Sequence, residues 1–287
     1  MTPTDVFTKV TFAPVSICIV VLSTGLYLYG VRRMAARAPR WPTYRTVLLL
    51  VGELALVFGL ISGIDGKDHL FSVYAVQHIL IGIIAPLCFA LSAPFTLAVR
   101  AGSDRVRNAT LAALDSRAAR VIFNPFFTWG FLAASVMTLY LTGLYALSMR
   151  NDLVNNLVHL ELILAGCLFW WPVIGADPIP TRLSYWYKML YLILALPFYT
   201  ILGMSLESQS KGIAPGMSVT EVHTGGGLLW SAGEIMGLLG VITFFVLWLR
   251  ADERAAKRSD EYSEEAAARQ LAHWRATRDA AARAASS

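Results

Sequence analysis

His78, His159 and His223, with Met204, Glu207 and Glu221, stand in or beside stretches otherwise apolar enough for lipid. Imidazole, thioether and carboxylate are the donors of a transition-metal site; imidazole suits copper and soft thioether favours Cu(I). The spacing supplies no ligand pair on one helix face, because HxxxH and HxxH do not occur. His159 and Glu161 are two residues apart, about 200° around a helix, and so point different ways. A metal site must therefore be assembled across helices. The other reading of each lone histidine is an interhelical hydrogen-bonding residue. A third reading makes His78 and His159 the axial ligands of a haem iron, which a Soret band would reveal.

The elements that hold these residues follow from composition. The chain has 287 residues, 56% hydrophobic and 15% charged, a balance that excludes an ordinary soluble domain. Seven apolar runs approach the ~20 residues a spanning helix needs: 13–31, 44–63, 71–98, 121–148, 155–175, 186–206 and 225–249. The fold class expected is all-α, a seven-transmembrane-helix bundle over residues 1–250, with residues 251–287 as a charged C-terminal helix or tail. Arg32 and Arg33 follow the first run instead of preceding it, so that run reads as a retained helix and not a cleaved signal peptide. Cys18, Cys88 and Cys167 lie singly in three runs, as small core residues do.

Direction comes from the loops. Of 24 Lys and Arg, 20 fall on alternate connections with the C-terminal segment, and four (Lys9, Lys67, Arg150, Lys211) on the other side. The positive-inside rule then places the N terminus outside and the C terminus in the cytoplasm. The net charge of +5 is thus accounted for by loops facing the lipid bilayer, and nucleic acid is not an expected partner. At about 1.5 Å per residue, Tyr74, His78, His159, Tyr199, Met204 and Glu207 reach one outer level. Glu221 and His223 are expected just before the last span, at that level too.

Glu53 and Glu234 lie within runs, where a carboxyl must be protonated, paired or facing water. Each reads either as part of a proton or cation path or as a neutral acid bonded to a neighbouring helix. Gly225, Gly226 and Gly227 suggest close packing at the entry to the last run. Trp170 and Trp171 are expected as interfacial anchors at the inner end of the fifth. No phosphate loop, GxSxG elbow or HExxH is present, so enzyme chemistry of the soluble kind has no seat.

Five stretches together resemble one family: YAVQHILIGIIAPLCFALSAPFTLAVRA (74–101), LYLTGLYAL (139–147), CLFWWPVIGADPIP (167–180), LPFYTILG (196–203) and TGGGLLWSAGE (224–234), with LRADERAAKR (249–258) behind them. The chain resembles the CtaG-type cytochrome c oxidase assembly proteins of bacteria, particularly the actinobacterial branch. The resemblance implies seven membrane helices, a non-enzymatic role in oxidase maturation with copper delivery, and cytochrome c oxidase subunits as partners. Under it, His78 matches the second histidine of an HMxxH-like motif, His159 the histidine ahead of FWWP, and Glu221 an acidic residue before a Gly pair. Tyr74 stands where the family has the first histidine of that motif, and Tyr199 where the actinobacterial PFHA-like motif has histidine. The alternative to a copper chaperone is accordingly a metal-free accessory or scaffold subunit of the oxidase.

Overall fold

A computed structural model describes residues 14–35, 40–60 and 70–285, and every regular element among them is helical. Lys9, Arg37 and Lys67 of the charge count, and residues 61–63 of the second apolar run, lie outside the described residues. The helices are α1 (Pro14–Ala35), α2 (Thr43–Leu60), α3 (Phe71–His78), a π-helical segment (Ile79–Ile84), α4 (Ala85–Ser92), α5 (Pro94–Ala101), α6 (Asp104–Leu114) and α7 (Arg117–Ile122). They continue with α8 (Pro125–Leu141), α9 (Leu144–Ser148), α10 (Asp152–Ile174), α11 (Tyr185–Glu207) and α12 (Val219–Ala285). Five segments are long and apolar enough to cross a membrane: Thr43–Leu60, Phe71–Ala101, Asp152–Ile174, Tyr185–Glu207 and the first part of the helix from Val219. Pro125–Leu141 is equally apolar but shorter.

The third apolar run departs from a regular helix twice, and prolines lie at both places. Pro86 has no N–H to give the carbonyl four residues back, at Gly82, and the π turn lies just before it. Pro94 disfavours a helical conformation in the residue before it, and Ala93 takes a left-handed φ of 53°. The run expected at 121–148 is likewise cut in pieces. Asn124 caps α8 by accepting from the N–H groups of Phe126 and Phe127, Pro125 occupies its first turn, and Thr142–Gly143 separate α8 from α9.

The kinked run α3–α5 lies at the centre. It packs on α2, α10 and α12; α10 also packs on α8, and α11 joins α8 to α12. On α12, Gly225, Gly226 and Gly233 face Phe71, Leu206 and Tyr199 at distances that leave no room for a Cβ, while Gly227 meets nothing. The packing foreseen at the glycine run is therefore carried by two of its three residues. From 250 onward α12 continues without a break to Ala285, and where described its side chains are almost all exposed. Arg269 and Glu265 pair there at 3.0 Å, an exposed i,i+4 contact of small energetic weight.

Candidate functional site

Phe71, Tyr74, Ala75 and His78 recur at the i, i+3, i+4, i+7 spacing of one helix face, and all four are buried. That face meets the end of α8, α9, the first half of α10 and the start of α12. His78 is 2% exposed; its Nδ1 lies 2.7 Å from the Tyr140 hydroxyl, and the two rings stack at 5.6 Å. Tyr74 sets its edge against Tyr145 at 4.8 Å and Tyr140 at 6.4 Å, and tilts over His159 at 6.3 Å. Phe71 completes the packing edge-on to Tyr140 and Tyr145. His159 is 5% exposed, and its Nε2 has no hydrogen-bond partner among the described residues. His78 and His159 lie close enough to interact electrostatically.

Glu221 borders this cluster. Its Oε2 accepts from the Ser72 N–H at 3.2 Å and the Ser72 hydroxyl at 2.8 Å, so a carboxylate from α12 caps the N terminus of α3. Helix α12 begins at Val219, with Ser218 Oγ accepting from the Glu221 N–H, so Glu221 and His223 lie in its first turns and not ahead of it. His223 contacts the Gln209 carbonyl through Nε2 at 3.2 Å. Glu207 is exposed and Met204 is 62% exposed. Tyr199 is buried with its ring on Gly233. Of the six sequence candidates, His78, His159 and Glu221 therefore gather around the aromatic cluster, and His223, Met204 and Glu207 take other settings. No three of His, Cys, Asp and Glu among the described residues come together as a metal-binding group.

Tyr140, Tyr145 and Ser72 were not singled out by residue type, although LYLTGLYAL contains the two tyrosines. Their signal is pattern, two aromatic hydroxyls in a run that breaks at Thr142–Gly143 beside a helix start. The π turn gave no readable signal beyond Pro86.

The carboxyls inside the apolar runs share one arrangement. Ser23 of α1 donates to Glu53 Oε1 at 2.6 Å, Ser135 of α8 bonds Glu161, and Thr200 of α11 donates to Glu234 Oε1. Each joins two helices by a hydroxyl, as the interhelical reading of these acids expects. Glu161 thus belongs to the α8–α10 contact while His159 meets α3. Glu234→Gln keeps an acceptor for Thr200 and is expected to change stability by less than about 1 kcal/mol; thermal denaturation in detergent measures it.

At the other end of the bundle the tryptophans behave differently from interfacial anchors. Trp170 and Trp171 are 5% and 9% exposed, and Trp171 Nε1 donates to Asp177 Oδ2 at 2.9 Å. Asp177 Oδ1 accepts from the Thr96 N–H at 2.6 Å and the Thr96 hydroxyl at 2.8 Å. The WWP and ADP portions of one motif therefore close a hydrogen-bonded clasp on the first turn of α5. The indole N–H has found a buried carboxylate, which removes its reason to sit at the lipid headgroups.

The family model described as cytochrome c oxidase caa3 assembly factor matches residues 25–251. An uncharacterized protein of Mycobacterium bovis is 29% identical over 264 residues, covering 85% of this chain and 40% of its own length. Uncharacterized proteins of Mycobacterium tuberculosis and Mycobacterium leprae are 29% and 27% identical over the same extent. The chain spans about 40% of the length of these curated relatives. No solved structure matches significantly.

Proposed function

We propose a function on one premise: the chain belongs to the cytochrome c oxidase caa3 assembly factor family, whose model covers residues 25–251. The protein works in the plasma membrane as a non-enzymatic partner of the oxidase subunits. Adding α1 and the 17-residue α8 to the five apolar segments gives seven spans. The Lys and Arg distribution then sets the N-terminal end outside and α12's extension in the cytoplasm. In that orientation the starts of α3, α10 and α12, and with them the aromatic–histidine cluster, face outward.

Copper is the cargo in this reading, held briefly at the cluster and passed to the oxidase. The observation that carries it is the buried Nε2 of His159, without a protein partner, beside His78 whose other ring nitrogen is fixed by Tyr140. An imidazole oriented through its second nitrogen is a typical metal donor, and imidazole suits copper. Glu221 supports the site by holding the start of α3, through Ser72, and is not required as a ligand.

A strain lacking the gene is expected to make oxidase depleted of copper. The wild-type gene restores it, and His78→Ala combined with His159→Ala does not. Full restoration by that double variant sinks the copper reading. The second reading, a metal-free scaffold, is favoured by Tyr74 and Tyr199 and by the lack of a three-donor group among the described residues. Its mark is co-purification with the oxidase and no copper in elemental analysis of the purified protein. A haem is excluded or established by the same sample's absorption spectrum.

A further inference from the structure

We infer that the ammonium of Lys188, at the end of the bundle where α10 stops and α11 starts, binds the phosphate of an anionic phospholipid. The premise is that α10, α11 and α12 are membrane spans; neither copper nor the oxidase enters.

Lys188 lies in the first turn of α11 and is half-buried. Its Nζ donates at 3.1 Å to the carbonyl of Ile174, the last residue of α10, and stands 4.9 Å from the centre of the buried Phe244 ring of α12. The ammonium is thus held between three helices instead of reaching freely into water. Among the described residues no acid pairs with it or acts on it electrostatically. The sequence supplies none along these helices: no Asp or Glu occurs between Asp177 and Glu207 or between Glu234 and Asp252. Asp177 itself is engaged by Thr96 and Trp171. The end of α10 contributes a partial charge of about −0.5 and takes one of the three ammonium hydrogens. An ammonium partly withdrawn from water and only partly compensated is costly, and an anion from outside the chain relieves that cost.

Position chooses the anion. Helices α11 and α12 run antiparallel here, Gly240 meeting Leu192 and Phe244 meeting Lys188, so Trp248 lies one turn further on, level with the start of α11. Trp186 and Tyr187 are 65% and 60% exposed, and Trp248 is 37% exposed. Exposed Trp and Tyr at the ends of apolar helices mark the level of the lipid headgroups, a setting that the buried Trp170 and Trp171 do not share. Leu190, Ile193 and Leu194 continue the exposed apolar surface along α11, where acyl chains lie. Arg182 and Arg250 are exposed at the same end. With Lys188 they favour a headgroup of net negative charge over a zwitterionic one. Phosphate oxygens accept the remaining ammonium hydrogens in charge-assisted bonds.

The test places the full chain in nanodiscs of phosphatidylglycerol or of phosphatidylcholine and reads the thermal midpoint in each. Native mass spectrometry of protein released from an equal mixture then counts the lipid retained. Expected is a higher midpoint in phosphatidylglycerol, and retention of one such molecule per chain about tenfold or more over phosphatidylcholine, the scale of a hydrogen bond to a charged group. Lys188→Gln, which keeps a donor and drops the charge, loses that preference. It is no less stable than wild type in phosphatidylcholine, which separates lost binding from lost folding. Lys188→Arg keeps the preference within about threefold, and Arg150→Gln, ahead of the opposite end of α10, leaves it unchanged. Equal retention of the two lipids by wild type, or an undiminished preference in Lys188→Gln, would overturn the inference alone. Wild type that enters neither nanodisc overturns it together with the membrane reading. Loss of the preference in inorganic phosphate but not in sodium chloride of equal ionic strength gives the site to free phosphate instead. Loss of oxidase co-purification in Lys188→Gln, with lipid retention unchanged, gives the charge to a carboxylate of a protein partner and equally overturns the lipid assignment.

Discussion

Gly166→Ala is expected to lower the stability of the purified protein by about 3 kcal/mol, at the upper end of the usual cost of overpacking, and Gly166→Val by more. A Cβ at 166 would lie 2.1 Å from the carbonyl oxygen of Gly82 and 2.7 Å from Pro86 Cγ. One obstacle is backbone and the other a proline ring, so neither can swing aside as a side-chain tip could. The close approach exists because Pro86 cannot donate to the Gly82 carbonyl and the π turn brings that carbonyl against α10. The damage reaches the site as well, since the position of a Cβ on Gly82 is only 3.2 Å from the His78 ring. Gly130→Ala on α8 is the control: nothing lies within 4 Å, and the gain in helix propensity is about 0.5–1 kcal/mol. Equal thermal midpoints for the two alanine variants would refute the account of α10 packing.

Much of the architecture is written in quantities a sequence displays directly. Run length and hydropathy located the apolar helices, and glycine spacing marked where α12 approaches Phe71 and Leu206. The breaks were harder to read. Pro94 announces an interruption, but the left-handed turn at Ala93 and the π segment before Pro86 are responses of the backbone to packing that no local propensity specifies. The number of spans is a separate matter, because α8 with 17 residues falls short of a full crossing by length alone.

For the site, residue type pointed to His78 and His159 because an imidazole in an apolar run is costly and rare. Their convergence could be anticipated from depth, since both lie a turn or two below helix starts. Azimuth could not be read in the same way. Met204 and Glu207 lie in the last turn of α11, yet the 100° step per residue turns them to its exposed faces. Tyr140 and Tyr145 were hidden for the opposite reason, as ordinary aromatic residues made specific by the partner each meets. The tryptophan pair illustrates the limit of compositional rules: Trp171 looks interfacial until Asp177, six residues on, is seen to fold back beneath it.

That clasp yields the second large effect. Asp177→Ala is expected to cost about 3–5 kcal/mol, because the Thr96 N–H and the Trp171 indole N–H lose their acceptor together. The Thr96 hydroxyl keeps the Ala176 carbonyl at 3.1 Å, so it adds little to the loss. Asp177→Asn separates charge from hydrogen bonding. Its amide oxygen can serve Thr96, and its amide group removes one acceptor from Trp171, a smaller penalty. Burial holds the Asp177 carboxyl above its ordinary range in spite of the three bonds it accepts. A carboxyl raised in the folded state binds its proton more tightly there than in the unfolded chain. Its contribution is fully present below the ordinary aspartate pKa and is lost as pH rises through the raised value. Wild type should therefore lose stability relative to Asp177→Asn as pH climbs through that window. Thermal midpoints of the three proteins in one detergent across the acid range measure it, and parallel wild-type and Asn curves would contradict the assignment.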